Sequence, residues 1–368
     1  MATPICKYFG ICGGCQLQHL DYSVQLENKK KNVSFLLGVN ENEVQVFSDK
    51  EYNYRNRMDF VFHNSGAGLR EKGKWYNIID IDYCAIADIK LNSLLKEVKC
   101  NFGSVDSFDT KKRNGIYYNL VIRTPQNDSS ISFVLNPKSS RIAEAVEKIK
   151  DYSKKSAANN VIITYSDSDS TSSDFFIVKG KDMLNETLIG KKFMYSVQGF
   201  FQNNHAVAQK MQEYCNNIFK KHETKNAYLL DLYGGVGTFG IINSELFKEV
   251  TTIESVKECT DSANVNKELN NANNVKAITL DASKLKKIEF KKPLFLLTDP
   301  PRSGMHQDTI RQINMLLPEV IVYVSCNPEQ LAKDIRKFDN YKLVNTAMFD
   351  MFPQTQHIEV VVELIKQQ

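Results

Sequence analysis

The sequence predicts an α/β protein: a doubly wound sheet in the C-terminal half, preceded by a mainly antiparallel β domain and a cysteine-bearing N-terminal segment. Three observations predict it. After about Gly190 short apolar strands alternate with helical stretches; from 50 to about 188 aromatic and β-branched residues alternate with polar ones between turn-forming clusters; and Cys6, Cys12 and Cys15 crowd the first fifteen residues. A chain of 368 residues has room for two or three domains, which we place at 1–48, 49–188 and 189–368. Hydrophobic residues at 42% and charged residues at 24% exclude a disordered, collagen-like or disulfide-dense chain. The net charge of +4 permits a nucleic-acid partner without pointing to one.

Taken in order, the first twenty residues are rich in Gly and Cys and have no helical or strand period, so a ligand has to order them. An amphipathic helix follows, with Val24, Leu26, Val33, Leu36 and Leu37 apolar among Glu27, Lys29, Lys30 and Lys31. Residues 52–62 alternate like a strand and interleave Tyr52, Tyr54 and Phe60 with Arg55 and Arg57. Further strands are expected at Tyr117–Arg123, Ile131–Leu135, Val161–Tyr165 and Phe175–Val178, with one helix near 140–154. The Ser/Asp run 166–174 reads as a mobile hairpin tip, and Lys29–Lys31 and Lys111–Arg113 read as solvated charges. A helix at 204–221 then leads into strands near Ala227–Leu232, Glu249–Glu254, Ala277–Asp281, Leu294–Thr298, Val320–Val324 and Glu359–Leu364. In such a sheet ligands bind at the carboxyl ends of the strands.

No charged-then-apolar leader precedes the cysteines, and no apolar run approaches the roughly 18 residues that cross a bilayer. The expected setting is cytoplasmic and reducing, without a membrane or an obligate protein partner. There the three clustered cysteines, of eight in all, read as metal or cluster ligands sooner than as disulfides. The spacing C-x5-C-x2-C with a distant fourth cysteine suits four thiolates around an iron–sulfur cluster, with zinc as the alternative. Cys84, in the polar turn I-D-Y-C-A-I-A-D, is the fourth candidate, because Cys100, Cys215 and Cys259 fall in helical segments.

The strand A-Y-L-L-D-L-Y runs into G-G-V-G-T-F-G, so Gly235, Gly237 and Gly240 have the spacing of a nucleotide-binding turn, and Glu254 ends the next strand, where a carboxylate can bind ribose. A dehydrogenase and an S-adenosylmethionine methyltransferase share these features. Downstream residues decide between them. The fourth strand ends in Asp299-Pro300-Pro301-Arg302, an acceptor-side motif for which a dehydrogenase has no need, and the fifth ends in Ser325-Cys326-Asn327-Pro328. C5 of uracil becomes nucleophilic only after something adds to C6, and a thiolate is suited to that addition. A base must then remove the C5 proton. Glu359, at the start of the last strand, is favoured over Glu363 within it, and His357 is the other candidate.

In order, G-F-F-Q-N-N, D-L-Y-G-G-V-G-T-F-G, D-P-P-R-S-G, S-C-N-P and H-I-E resemble the RNA (uracil-5-)-methyltransferase family across residues 199–359. The resemblance implies a Rossmann-like class I methyltransferase domain that forms 5-methyluridine in structured RNA, either 23S rRNA or tRNA. It implies Cys326 as nucleophile and Glu359 as proton acceptor, with Asp299 and Arg302 beside them. Gln202, Tyr233, Thr238, Glu254, Asp281 and Asp299 would line the S-adenosylmethionine pocket, although relatives often have Asn where Thr238 stands. The iron–sulfur branch of the family implies a [4Fe-4S] cluster on Cys6, Cys12, Cys15 and Cys84. Some members carry an N-terminal RNA-binding barrel; none is expected here, which would leave RNA to the middle domain, with Tyr54, Arg55 and Arg57 as contacts. Two other readings remain: an RNA cytosine-5-methyltransferase, in which a second cysteine would stand where Arg302 does, and a non-catalytic iron–sulfur RNA-binding protein.

Overall fold

The computed structural model describes residues 2–166 and 174–367, so most of the expected Ser/Asp hairpin tip lies outside the described residues. The N-terminal part supplies α1 (Tyr22–Leu37) and β1 (Val44–Phe47). The middle part runs β2 (Arg57–His63), β3 (Gly66–Glu71), β4 (Lys74–Asp80), α2 (Ile89–Asn101), β5 (Tyr117–Arg123), β6 (Ser130–Leu135), α3 (Ile142–Ser153), β7 (Asn160–Tyr165) and β8 (Phe175–Lys179). A hairpin, β9 (Met183–Leu188) and β10 (Lys191–Ser196), leads to α4 (His205–Phe219) and β11 (Tyr228–Leu232). There follow α5 (Thr238–Asn243), β12 (Glu249–Glu254), α6 (Lys257–Leu269), β13 (Val275–Thr279), β14 (Leu294–Thr298), α7 (Gln307–Leu316), β15 (Val320–Ser325), α8 (Pro328–Ile335), β16 (Tyr341–Phe349) and β17 (Glu359–Lys366).

The C-terminal sheet has the order β1-β16-β17-β15-β14-β11-β12-β13. Strands β11 to β15 are mutually parallel, and β17 runs antiparallel to both neighbours. Near-continuous apolar runs such as Leu294–Leu297 and Val320–Val324 fit strands covered on both faces. Leu229, Phe295 and Val322 pack with α4 and α5 on one face, while Leu230, Leu296 and Tyr323 pack with Ile310, Leu331 and Val33 on the other. The chain order reverses at β11, with β14 on one side and β12 on the other, which opens a mouth at the carboxyl ends of these strands.

The middle sheet has the order β4-β3-β2-β5-β6-β7-β8 and is antiparallel except for the β6–β7 pair, which α3 connects as a parallel crossover. It carries a second helix, α2, whose Leu91, Leu94, Leu95 and Val98 cover Phe60, Phe62 and Leu120. The strand expected over 52–62 begins only at Arg57. Asn53 takes φ +53°, and the N–H groups of Tyr54 and Arg55 donate to the Ile86 carbonyl instead of a neighbouring strand.

Two connections bind the parts together. Strand β1 pairs in parallel with β16, so residues 44–47 form an edge of the C-terminal sheet, and α1 packs on α8. Leu184, Leu188, Phe193 and Tyr195 of the β9–β10 hairpin are buried in the same core as α4.

Candidate active site

The nucleotide end is built on β11. Tyr233 (φ +59°), Gly235 (φ +54°) and Gly237 (φ +85°) turn the chain sharply into α5. Gly240 lies one turn into that helix, where a Cβ would collide with the Thr252 hydroxyl and the Asp231 carboxylate. Asp231 is fully buried, accepts the Gly240 N–H at 3.0 Å and the Thr252 hydroxyl at 3.1 Å, and desolvation pushes its carboxyl up to about 7. Glu254 closes β12. Its Oε2 accepts the Gly235 N–H at 3.1 Å and its Oε1 the Val256 N–H at 2.8 Å, so one carboxylate ties the first two strand-to-helix loops together. Asp281 sits two residues beyond β13 and accepts the Ser283 N–H at 2.7 Å; hydrogen bonding from the Ser283 side chain, then from its N–H, holds its carboxyl below the ordinary pKa. Thr238 is the first residue of α5, and Asp299 follows β14 directly. Gln202 stands two residues before Asn204, which, and not Gln202, caps α4. The topology thus gathers Tyr233, Thr238, Glu254, Asp281 and Asp299 at adjacent strand ends.

The acceptor side lies at the same edge. The 299–305 loop is pinned by Asp334 of α8, a fully buried carboxylate that accepts the Met305 N–H at 3.1 Å and the Tyr323 hydroxyl at 2.8 Å. Gly304 (φ +79°) permits this, since a Cβ there would meet Asp334 and Gln330. Asn327 caps α8 by accepting the Gln330 N–H, and its Nδ2 donates to the Arg302 carbonyl at 3.0 Å, joining the Cys326 turn to the Arg302 loop. Cys326 is half-buried. Desolvation, then the neighbouring Glu359 and Asp299, push its thiol up to about 11, while Arg302 draws it down. Burial and then Asp299 hold Glu359 well above the ordinary carboxyl range, and burial alone pushes Asp299 up to about 7. Cys326, Arg302, Asp299 and Glu359 therefore lie within electrostatic reach of one another. Glu363 is engaged elsewhere, by His222 Nε2 at 2.7 Å.

A cavity of about 570 Å³ opens on Cys326 and Arg302, and its far wall is N-terminal: Leu17, Gln25, Asn28 and Lys29. Lys29, expected as a solvated charge, is 4% exposed and pairs with the buried Asp350 at 2.6 Å. The sequence hid this because the buried stripe of α1 is Gln25, Lys29 and Val33, polar in two of three positions, while Val24 and Phe35 face out. Gln25 donates to the Leu17 and Leu20 carbonyls and to Gln354 Oε1 at 3.0 to 3.1 Å, and Tyr22 donates to Asp350 at 2.9 Å. These contacts clamp the 350–358 loop, which leads straight into Glu359. His357 sits in that loop on the cavity wall, with burial and then Arg302 lowering its pKa.

A family profile described as tRNA (Uracil-5-)-methyltransferase matches residues 21–367. The chain belongs to that family. It is an S-adenosylmethionine-dependent RNA (uracil-C5-)-methyltransferase with a Rossmann-like α/β catalytic domain. A Pyrococcus abyssi protein named tRNA (uracil(54)-C(5))-methyltransferase is 32% identical over 370 residues, covering 98% of this chain and 86% of its own length. A Caldanaerobacter subterraneus subsp. tengcongensis RNA methyltransferase is 34% identical over 377 residues, covering 97% of this chain and 83% of its own. The crystal structure of the Pyrococcus abyssi tRNA (uracil-54, C5)-methyltransferase with S-adenosyl-L-homocysteine superposes with a TM-score of 0.80 at 28% identity, covering 97% of this chain and 86% of that one.

In this family member Cys6, Cys12, Cys15 and Cys84 line one cavity of about 750 Å³, together with Arg55 and Arg57. Among the described residues no group of three or more His, Cys, Asp or Glu is drawn together so as to hold a metal ion, so the structure by itself assigns no metal here. The three RNA candidates separate. Tyr54 is 4% exposed with its hydroxyl on the Pro353 carbonyl at 2.9 Å, which corrects the expectation that it stacks on a base: its ring is core. Arg57 is partly exposed and makes a two-pronged contact with Asp59 at 3.0 and 3.1 Å. Arg55 lies over the Phe352 ring at 5.8 Å, next to the loop that precedes Glu359. Among the described residues no helix is long and apolar enough to cross a membrane.

Proposed function

We propose that this enzyme forms 5-methyluridine in tRNA, with Cys326 as nucleophile and Glu359 as the base. The observation that carries the proposal is the convergence of Cys326, Arg302, Asp299 and Glu359 at one strand edge, where a cavity of about 570 Å³ opens on Cys326 and Arg302 and has room for a base taken out of its stack. Bound S-adenosylmethionine supplies an electrophilic methyl group; Tyr233, Thr238, Glu254, Asp281, Asp299 and Gln202 would hold it. The steep turn at Gly235 and Gly237 and the carboxylate at the end of β12 fit such a ligand. Cys326 releases its proton to solvent and adds as the thiolate to C6; the electron pair this displaces to C5 takes the methyl as the bond between that methyl and the sulfonium sulfur breaks. Glu359 then takes the C5 proton, the C5–C6 double bond re-forms, and the Cys326 thiolate leaves. Burial raises the proton affinity of Glu359, which makes it a stronger acceptor once it is ionised. Arg302 is a cation on the cavity wall beside Cys326, placed to steady negative charge that develops on the ring.

Full-length similarity to relatives named as tRNA uracil-54 methyltransferases supports tRNA over 23S rRNA as substrate, and a tRNA substrate fits a cytoplasmic enzyme. Arg302, in the place where a cytosine-5-methyltransferase would carry its cysteine, supports uridine. Cys326→Ala is expected to abolish transfer of labelled methyl to an unmodified tRNA transcript while S-adenosylmethionine binding by calorimetry persists. Glu359→Gln is expected to accumulate a covalent protein–RNA adduct on a denaturing gel. Full activity in the first variant, or no adduct in the second, removes the assigned role.

The same reading places a [4Fe-4S] cluster on Cys6, Cys12, Cys15 and Cys84. Four thiols lining one cavity support it. The cluster would order the loop that carries three of its ligands. Iron and sulfide analysis of anaerobically purified protein tests this, with Cys84→Ser expected to lose both; zinc in their place would overturn it.

A further inference from the structure

We infer that the β3–β4 hairpin is a docking surface for unpaired nucleotides of the RNA, with Trp75 and Tyr76 as stacking platforms. The inference rests on the RNA-methylating reading above. Strand β4 is the outer edge of its sheet, and Trp75 and Tyr76 are 60% and 61% exposed on it, where a half-buried strand would alternate. Adjacent strand residues point to opposite faces, so both faces of this edge present an aromatic ring. Each ring has a cation beside it: Arg70 lies 5.9 Å from Trp75 and Lys111 5.9 Å from Tyr76. Exposed rings interleaved with cations form the chemistry that binds single-stranded nucleic acid, the rings taking base faces and the cations taking phosphates. Arg70 also donates to the Trp75 carbonyl at 2.6 Å; of the nearby acids, Glu71 is paired with Lys74 at 2.8 Å, Asp80 with Lys99, and Asp109 accepts the Lys111 and Lys112 N–H groups at 2.8 and 3.1 Å.

A chain of contacts links the patch to the catalytic pocket. Arg70, Lys72 and Trp75 line the same cavity as Arg55; Arg55 lies over Phe352, and the Phe352 ring is 6.0 Å from His357 on the wall of the Cys326 cavity. The hairpin is also tied to the cysteine segment, since Gly13 N–H donates to the Arg70 carbonyl at 3.0 Å and Lys72 N–H to the Ile11 carbonyl at 2.8 Å. The cysteine loop thus braces the surface on which the RNA would lie.

Trp75 is the single tryptophan of the chain, so tryptophan emission, excited selectively over the tyrosines, reports on this site alone. Titrating the full-length protein with a short oligouridine and with an unmodified tRNA transcript is expected to quench it. In steady-state assays Trp75→Ala is expected to raise KM for the transcript at least about fivefold, with Trp75→Phe retaining most of the affinity and S-adenosylmethionine affinity unchanged. Unquenched fluorescence with both probes, or an unchanged KM in Trp75→Ala, overturns the inference. So does a wild-type dimer that Trp75→Ala dissociates with RNA binding intact, which would make this edge a contact between copies. A wild-type enzyme that methylates no tRNA overturns the tRNA assignment instead, and the oligouridine arm still decides the docking surface.

Discussion

Lys29 and Asp350 join the first helix of the chain to the loop that delivers Glu359, and breaking that pair is the sharpest test of how the pocket is assembled. The Nζ–Oδ1 distance is 2.6 Å, and the side chains are 4% and 0% exposed. Lys29→Met leaves Asp350 buried with the Tyr22 hydroxyl as its remaining side-chain partner, a loss worth about 3–5 kcal/mol for a buried pair. That is a large share of the roughly 5–15 kcal/mol that holds a domain folded. The double variant Lys29→Met/Asp350→Leu removes both charges and is expected to recover most of the loss, because the cost of a lone buried charge disappears with it. Urea denaturation followed by circular dichroism measures the three stabilities, and methyl-transfer rates measured in parallel report on Glu359. The single variant should lose kcat more than S-adenosylmethionine affinity, since the loop it frees carries the base and not the glycine turn. A single-variant cost below about 1 kcal/mol, or full kcat in a destabilised Lys29→Met, would refute the reasoning.

Further outcomes follow from the acceptor edge. With the Cys326 thiol pushed up to about 11, its alkylation by iodoacetamide, followed by mass spectrometry of that peptide, should rise about tenfold per pH unit from pH 7 to 10; a plateau by pH 8 contradicts this. Arg302 lowers that pKa, so Arg302→Gln should move the rising limb to higher pH and slow alkylation at any given pH below it. Gly304→Ala, at φ +79° and against Asp334, should cost about 2 kcal/mol or more by urea midpoint and reduce methyl transfer, since Gly304 sets the loop that carries Arg302. Gly240→Ala should likewise destabilise, its Cβ driven into Asp231 and Thr252, and should weaken S-adenosylmethionine binding in calorimetry.

The sequence by itself determined the parallel core of the catalytic domain, because strands covered on both faces must be short apolar runs: Leu294–Thr298 and Val320–Val324 appear within the bounds their composition marks. It also placed the glycine turn, Asp299, Cys326 and Glu359 at strand ends, since where a strand stops is a local property. Other features depended on partners far away in the chain. Strand β1, four residues long, is a strand because β16 lies beside it, and the bulged β16 carries no clean period of its own. Lys29 looked solvated until Asp350, 321 residues on, was seen to pair with it, and Tyr54 looked like a stacking residue until Pro353 closed over it. Trp75 and Tyr76 showed the reverse, two large rings left outside at the edge of the sheet. Periodicity records which face of an element is apolar, but a buried polar stripe or an exposed aromatic edge is decided by what the rest of the fold brings against it.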